Sequence, residues 1–147
     1  MKTEFFAIVF GTLALIVGFL AVMMTTGVGD LSIIEPSKKQ HREAAIYELN
    51  LGTPKDVGNG LQLDRVMSME DGVLIQFELM QLASTDVNAA EFHDLVFEAS
   101  RRQMCLHPDL RSFIDAEDGS IEAQFRGNDS VLITSMRFDQ AACQAGP

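Results

Sequence analysis

The chain has few of the residues from which reaction centres are built. Its 147 residues include only two cysteines, Cys105 and Cys143, and three histidines, His41, His93 and His107. No histidine lies in an H-x-x-x-H or H-E-x-x-H spacing, the cysteines do not form C-x-x-C, and no serine lies in G-x-S-x-G. These absences argue against a zinc site, a thioredoxin-like redox centre and an α/β-hydrolase nucleophile. We therefore expect no enzyme, no cofactor and no bound metal.

Basic residues are also scarce. Eleven lysines and arginines stand against 21 aspartates and glutamates, which gives a net charge of −10 at pH 7. A surface of this sign repels nucleic acid and anionic lipid headgroups. We expect a protein partner for the acidic soluble part, no nucleic acid and no small-molecule substrate.

Near the amino terminus, residues 5–26 contain neither a charge nor a proline. Twenty-two helical residues at about 1.5 Å each span roughly 33 Å, which is enough to cross a bilayer. A cleaved signal peptide is the alternative, but the run is longer than a usual signal core and no A-x-A cleavage site follows it. The pattern therefore predicts an uncleaved transmembrane anchor.

The small residues of this segment share one helical stripe. They are spaced four and three apart, so they fall on one face of a helix. In a membrane, such a face allows a second helix to approach closely. The pattern predicts a packing seam against another membrane subunit or a second copy, formed by Ala7, Gly11, Ala14, Gly18, Ala21 and Thr25.

Two kinds of sequence feature favour opposite orientations of the predicted anchor. Lys38, Lys39 and Arg42 follow the segment and favour a cytoplasmic C-terminal part. The short N-terminal tail resembles an export signal, and both cysteines lie in the C-terminal part, as an exported disulfide requires. We favour a bacterial inner-membrane protein with a cytoplasmic N-terminus and a periplasmic C-terminal domain.

The rest of the chain is expected to form one α+β domain. Turn chemistry fills residues 53–60, alternating apolar residues predict strands near 61–67, 73–82, 121–125 and 131–138, and a long helix is expected over 87–104. The order β-β-α-β-β predicts an antiparallel sheet packed by one long helix. The expected organisation is a short tail (1–4), the transmembrane anchor (5–26), a connector (27–58) with a helix at about 37–51, and the α+β domain (59–147).

The two cysteines admit two interpretations. As a disulfide, Cys105 and Cys143 would close a loop of roughly forty residues and stabilise the fold by about 3–4 kcal/mol. As free thiols, they would be small buried apolar residues. We favour the structural disulfide.

Residues 105–143 resemble a group of small exported bacterial proteins of unassigned function. In that group a cysteine precedes a PxLRxxI-like helix, a glycine turn, two strands and a closing cysteine. The matching residues here are Cys105, Pro108-Asp109-Leu110-Arg111, Ile114, Gly119, Ile121–Phe125, Val131–Phe138 and Cys143. An aromatic-rich strand of the pattern is replaced here by one that carries Ala123 and Phe125. The resemblance implies an exported location and a disulfide, and it transfers no activity.

Three functions remain open at this point. The first is a membrane-anchored, non-enzymatic accessory or assembly subunit of a bacterial inner-membrane complex. The second is a tethered periplasmic partner-binding module, or a chaperone of an envelope or secretion system. The third, a small enzyme, would need a cluster of reactive side chains that the spacings do not supply.

Overall fold

A computed structural model describes residues 38–117 and 119–145. The chain order of the elements is helix, three strands, two helices, two strands and a last short helix, with a 3₁₀ turn at Ser84–Asp86. Their bounds are α1 (Lys38–Asn50), β1 (Lys55–Gly58), β2 (Leu61–Met69), β3 (Gly72–Leu79), α2 (Ala89–Leu106), α3 (Pro108–Glu117), β4 (Ser120–Gly127), β5 (Leu132–Phe138) and α4 (Gln140–Gln144).

The five strands form one mixed sheet, in the order β1-β2-β3-β4-β5. Strands β1 to β3 form an antiparallel meander, and β4 and β5 form an antiparallel hairpin. The pair β3–β4 is parallel, with Gly72 opposite Ser120 and Leu79 opposite Gly127. The predicted all-antiparallel sheet is therefore wrong. After β3, the chain runs through α2 and α3 and begins β4 beside the start of β3, and such a crossover produces parallel strands.

Two further elements differ from the sequence prediction. The predicted turn at 53–60 contains the short edge strand β1, which pairs with the first residues of β2. The long helix begins two residues later than expected because Asn88 caps it. The Asn88 side chain accepts hydrogen bonds from the backbone N–H groups of Ala90 and Glu91.

The core lies between the sheet and the helices α2 and α3. Along β3 and β4, alternate side chains point into this layer, where Phe77 stacks on Phe125 with ring centroids 5.3 Å apart. Phe92 of α2 meets Phe125 edge-on at 5.3 Å. The other core members are apolar side chains of every layer, among them Leu61, Leu63, Val66, Ile75, Val96, Met104, Leu110 and Ile121. Burial of these side chains is the main favourable term in folding.

Helix α1 lies along the outer edge of β2, which β1 pairs with only as far as Leu63. Beyond that point the Asn50 amide takes the place of a neighbouring strand. Its Nδ2 donates to the carbonyl oxygen of Val66 at 2.7 Å, and its Oδ1 accepts from the N–H of Val66 at 2.8 Å. Ile46 of the same helix reaches the core. The helix therefore covers a stretch of edge that would otherwise be open to foreign strands.

No helix within 38–117 and 119–145 is long and apolar enough to cross a membrane. The segment 5–26, from which a transmembrane anchor was predicted, lies outside the described residues. The predicted membrane-spanning architecture and the predicted single-pass inner-membrane localisation therefore find no support in the described residues, and we withdraw both.

The start of the parallel pair requires glycine at position 72. A Cβ atom built there would lie 1.8 Å from the carbonyl oxygen of Ser120, a backbone atom of the adjacent strand. We expect Gly72→Ala to lower the free energy of unfolding by about 2–4 kcal/mol, because overpacking must push two strands apart. Chemical denaturation measures this change. Gly52→Ala is the matched control, since nothing lies within 4 Å of its added Cβ. Equal stability of the two variants would contradict the close strand approach.

Candidate functional site

The C-terminal end of the chain is fastened to the long helix at two points. Cys105, near the end of α2, forms a disulfide with Cys143 of α4, and their Cα atoms are 5.5 Å apart. One turn earlier on α2, Arg101 Nη1 donates to the carbonyl oxygen of Ala145 at 2.8 Å. Asp139 caps α4 by accepting from the N–H of Ala142. Together these contacts hold α4 against the helical layer.

Ionisable groups with shifted pKa values support the fold in exposed ion pairs and turns. The hydrogen bond from Arg101 lowers the pKa of Glu98 on the same helix, and the attraction of the nearby guanidinium adds to the effect. In the same way, the hydrogen bond from Arg137 lowers the pKa of Asp71. This ion pair links β5 to the β2–β3 turn. The Ser84 hydroxyl lowers the pKa of Asp129. Each of these shifts has a structural cause.

The face of the sheet away from α2 and α3 carries polar side chains. On β3 and β4 they alternate with the core residues, as the two-residue period of a strand requires. Gln76 Nε2 donates to Gln124 Oε1 at 2.9 Å across the parallel pair, and Ser135 Oγ donates to Glu122 Oε1 at 2.8 Å across the hairpin. We call this surface the open face. Its members on the four longer strands are Gln62, Arg65, Met67, Met69, Leu74, Gln76, Glu78, Glu122, Gln124, Arg126, Leu132, Ser135 and Arg137.

One arginine on the open face has no partner. The side chain of Arg126 makes no hydrogen bond or ion pair within the described part of the chain, and its Nε is buried without an acceptor. The other six arginines each contact a carboxylate or a carbonyl oxygen. Their partners are Met69 for Arg42, Asp64 for Arg65, Glu98 for Arg101 and Arg102, Asp115 for Arg111, and Asp71 for Arg137.

Exposed apolar side chains lie near Arg126, at the end of the open face where β4 ends and β5 begins. Leu132 is opposite Arg126 on β5 and is 50% exposed, and Met80, just beyond β3, is 45% exposed. The β4–β5 turn keeps this end together, because the N–H of Asn128 donates to the carbonyl oxygen of Leu82 at 2.9 Å. We call Met80, Arg126 and Leu132 the Arg126 patch. It combines one unpaired cation with apolar surface.

The residues singled out from the sequence are only partly within the structure. Cys105 and Cys143 are joined, whereas the predicted packing seam (Ala7, Gly11, Ala14, Gly18, Ala21 and Thr25) lies outside the described residues. Among residues 38–117 and 119–145, no group of three or more histidine, cysteine, aspartate or glutamate side chains could hold a metal ion.

Sequence reasoning missed the Arg126 patch, although part of its signal was present. The apolar alternation of Ile121, Ala123 and Phe125 implies that the residues between and after them share the opposite face. That places Arg126 on a polar face. Its lack of a partner depends on the neighbouring strands and cannot be read from the alternation.

Solved structures of two bacterial proteins have a similar fold. The first is a Pseudomonas aeruginosa protein thought to be secreted, with a TM-score of 0.56 and 17% identity over 69% of this chain and 88% of that one. The second is a pilotin of the Vibrio vulnificus type 2 secretion system, EpsS, with a TM-score of 0.54 and 19% identity over 70% of this chain and 88% of that one. No family model and no characterised protein sequence matches the chain. At these identities the likeness shows a shared fold.

The disulfide is expected to contribute substantially to stability. The two cysteines are 38 residues apart, and closing a loop of that length in the unfolded chain corresponds to about 4 kcal/mol in the loop-entropy model. We expect the double variant Cys105→Ser/Cys143→Ser to lose stability of this order in a denaturation experiment. Reduced wild-type protein is the control and should match the variant, which should itself be insensitive to reductant. Equal stability of oxidised and reduced wild type would contradict the expectation.

Proposed function

We propose that this chain is a non-catalytic accessory module of a bacterial envelope or secretion system, which acts by binding a protein partner outside the cytoplasm. The observation that carries the proposal is the fold shared with a type 2 secretion system pilotin, over most of that protein's length. Fold alone does not establish function, so the proposal also draws on two features of this chain.

The first feature is the disulfide between Cys105 and Cys143. Bacterial disulfides form and persist in the periplasm and outside the cell, whereas cytoplasmic thiols are kept reduced. The bridge fastens a short terminal helix that buries little apolar surface of its own. Its presence supports an exported location for the folded domain.

The second feature is the two-layer architecture. Helices α2 and α3 cover one face of the sheet, and the open face presents hydrogen-bonding side chains together with the Arg126 patch. A polar surface with a few apolar residues at one end resembles the mixed composition of non-obligate protein interfaces. It supports binding of a macromolecular partner.

A deletion strain and a tagged full-length copy test this function. We expect the deletion to reduce export of proteins into the medium, and we expect the tagged copy to co-purify, after in-cell cross-linking, with a stoichiometric component of an envelope or secretion assembly. Complementation with the untagged gene is the control for the deletion. Unchanged export together with a tagged chain that elutes alone would overturn the proposal.

A further inference from the structure

Arg126 lies at one end of the open face, next to the last residue of β4. Strand β4 is paired on both sides, and the neighbours of Arg126 across the sheet are Glu78 of β3 and Leu132 of β5. Its side chain is half-buried between these strands, and its Nε has no solvent contact and no acceptor. A buried donor without an acceptor destabilises a fold, so its presence calls for an explanation.

The residues around Arg126 do not satisfy it. Glu78 is in register on the adjacent strand, yet the two side chains form no ion pair. Glu122, two residues away on the same strand, instead accepts hydrogen bonds from Ser135 and Gln124. The Nη groups of Arg126 are not buried, so they remain available to a partner that approaches this surface, whereas Nε does not.

The surroundings of the arginine indicate what it would bind. Guanidinium groups recognise carboxylates with two parallel hydrogen bonds. Arginine beside apolar side chains is also the composition of interface hot spots, where contact with a partner excludes water. Met80 and Leu132 supply the exposed apolar neighbours.

We propose that Arg126 is the anchor of the partner-binding surface: it binds a carboxylate side chain of a protein partner, whose adjacent apolar side chains pack on Met80 and Leu132. This inference rests on the proposed function and adds the face, the anchoring residue and the chemistry of the partner segment. Because the whole chain carries a charge of −10, an acidic segment is repelled by most of the surface. Arg126, whose side chain has no carboxylate partner in the described part of the chain, offers such a segment a favourable contact.

In-cell photo-cross-linking of the full chain tests the proposal. A photoreactive benzoyl-phenylalanine replaces Gln62, which lies in the same cross-strand row as Glu78 and Arg126. In a second strain it replaces Leu95, which is 41% exposed on α2. Mass spectrometry identifies the cross-linked peptide. We expect an adduct from position 62 to a peptide that contains aspartate or glutamate next to apolar residues, and a weaker adduct or none from position 95.

Charge variants assign the adduct to the arginine. We expect Arg126→Glu and Arg126→Gln to lower the yield of the position-62 adduct at least tenfold. Arg102→Glu, an exposed site on α2, should change it less than twofold. The melting temperature of purified Arg126→Gln should stay close to that of wild type, because the substitution removes no hydrogen bond of the described fold.

The remaining outcomes separate this inference from the proposed function. Equal adduct yields from wild type and both Arg126 variants would overturn the inference, as would adducts from position 95 alone, while either result leaves a partner in place. Binding to anionic phospholipid vesicles is a further outcome. If the wild-type chain binds such vesicles and Arg126→Glu does not, the arginine binds a lipid headgroup, and this result would also overturn the inference. Absence of any adduct from both positions would instead contradict the proposed function.

Discussion

The parallel pairing of β3 with β4 is the constraint on which the rest of the structure depends. Parallel neighbours cannot be joined by a tight turn, so a long connection must leave one end of β3 and return to the other. Here the connection contains α2 and α3, and both pack on the same side of the sheet. One face is therefore buried under helices, and the other is left open with polar side chains.

The peripheral elements complete this central unit. Helix α1 covers the part of the β2 edge that β1 does not reach, with the Asn50 amide bonded to both backbone groups of Val66. At the opposite end of the chain, α4 follows β5 directly and buries little surface of its own. The disulfide and the Arg101 contact hold it on α2. None of these contacts lies on the open face.

Apolar periodicity along the sequence located the strands and helices that have one regularly repeating apolar face. The strand expected at 73–82 is β3, Gly72–Leu79, and the helix expected at 87–104 is α2, Ala89–Leu106. Strand β1 was missed because its residues have turn composition and are held by pairing with β2. The predicted all-antiparallel sheet was wrong because the parallel β3–β4 contact joins residues 48 apart (Gln76 and Gln124), and apolar alternation carries no information about such a contact.

The candidate site was harder to predict from the sequence than the fold was. An alternating strand reveals which residues share a face, but the lack of a partner for Arg126 results from where Glu78 and Glu122 lie and what they bind. By contrast, the transmembrane anchor and the packing seam could be predicted for residues 5–26 because their pattern lies within one continuous run of sequence. The surface proposed here is assembled from three strands, so only the folded chain displays it.

The central claim is that the open face is covered by a partner in the cell, while the helical face is free. In-cell hydroxyl-radical footprinting, compared with the same measurement on the purified chain, tests this claim most directly. We expect Met80 and Leu132 to lose most of their reactivity in cells, and Leu95 and Leu106, exposed on α2, to react equally in both samples. Equal reactivity of Met80 and Leu132 in cells and in purified protein would contradict the account.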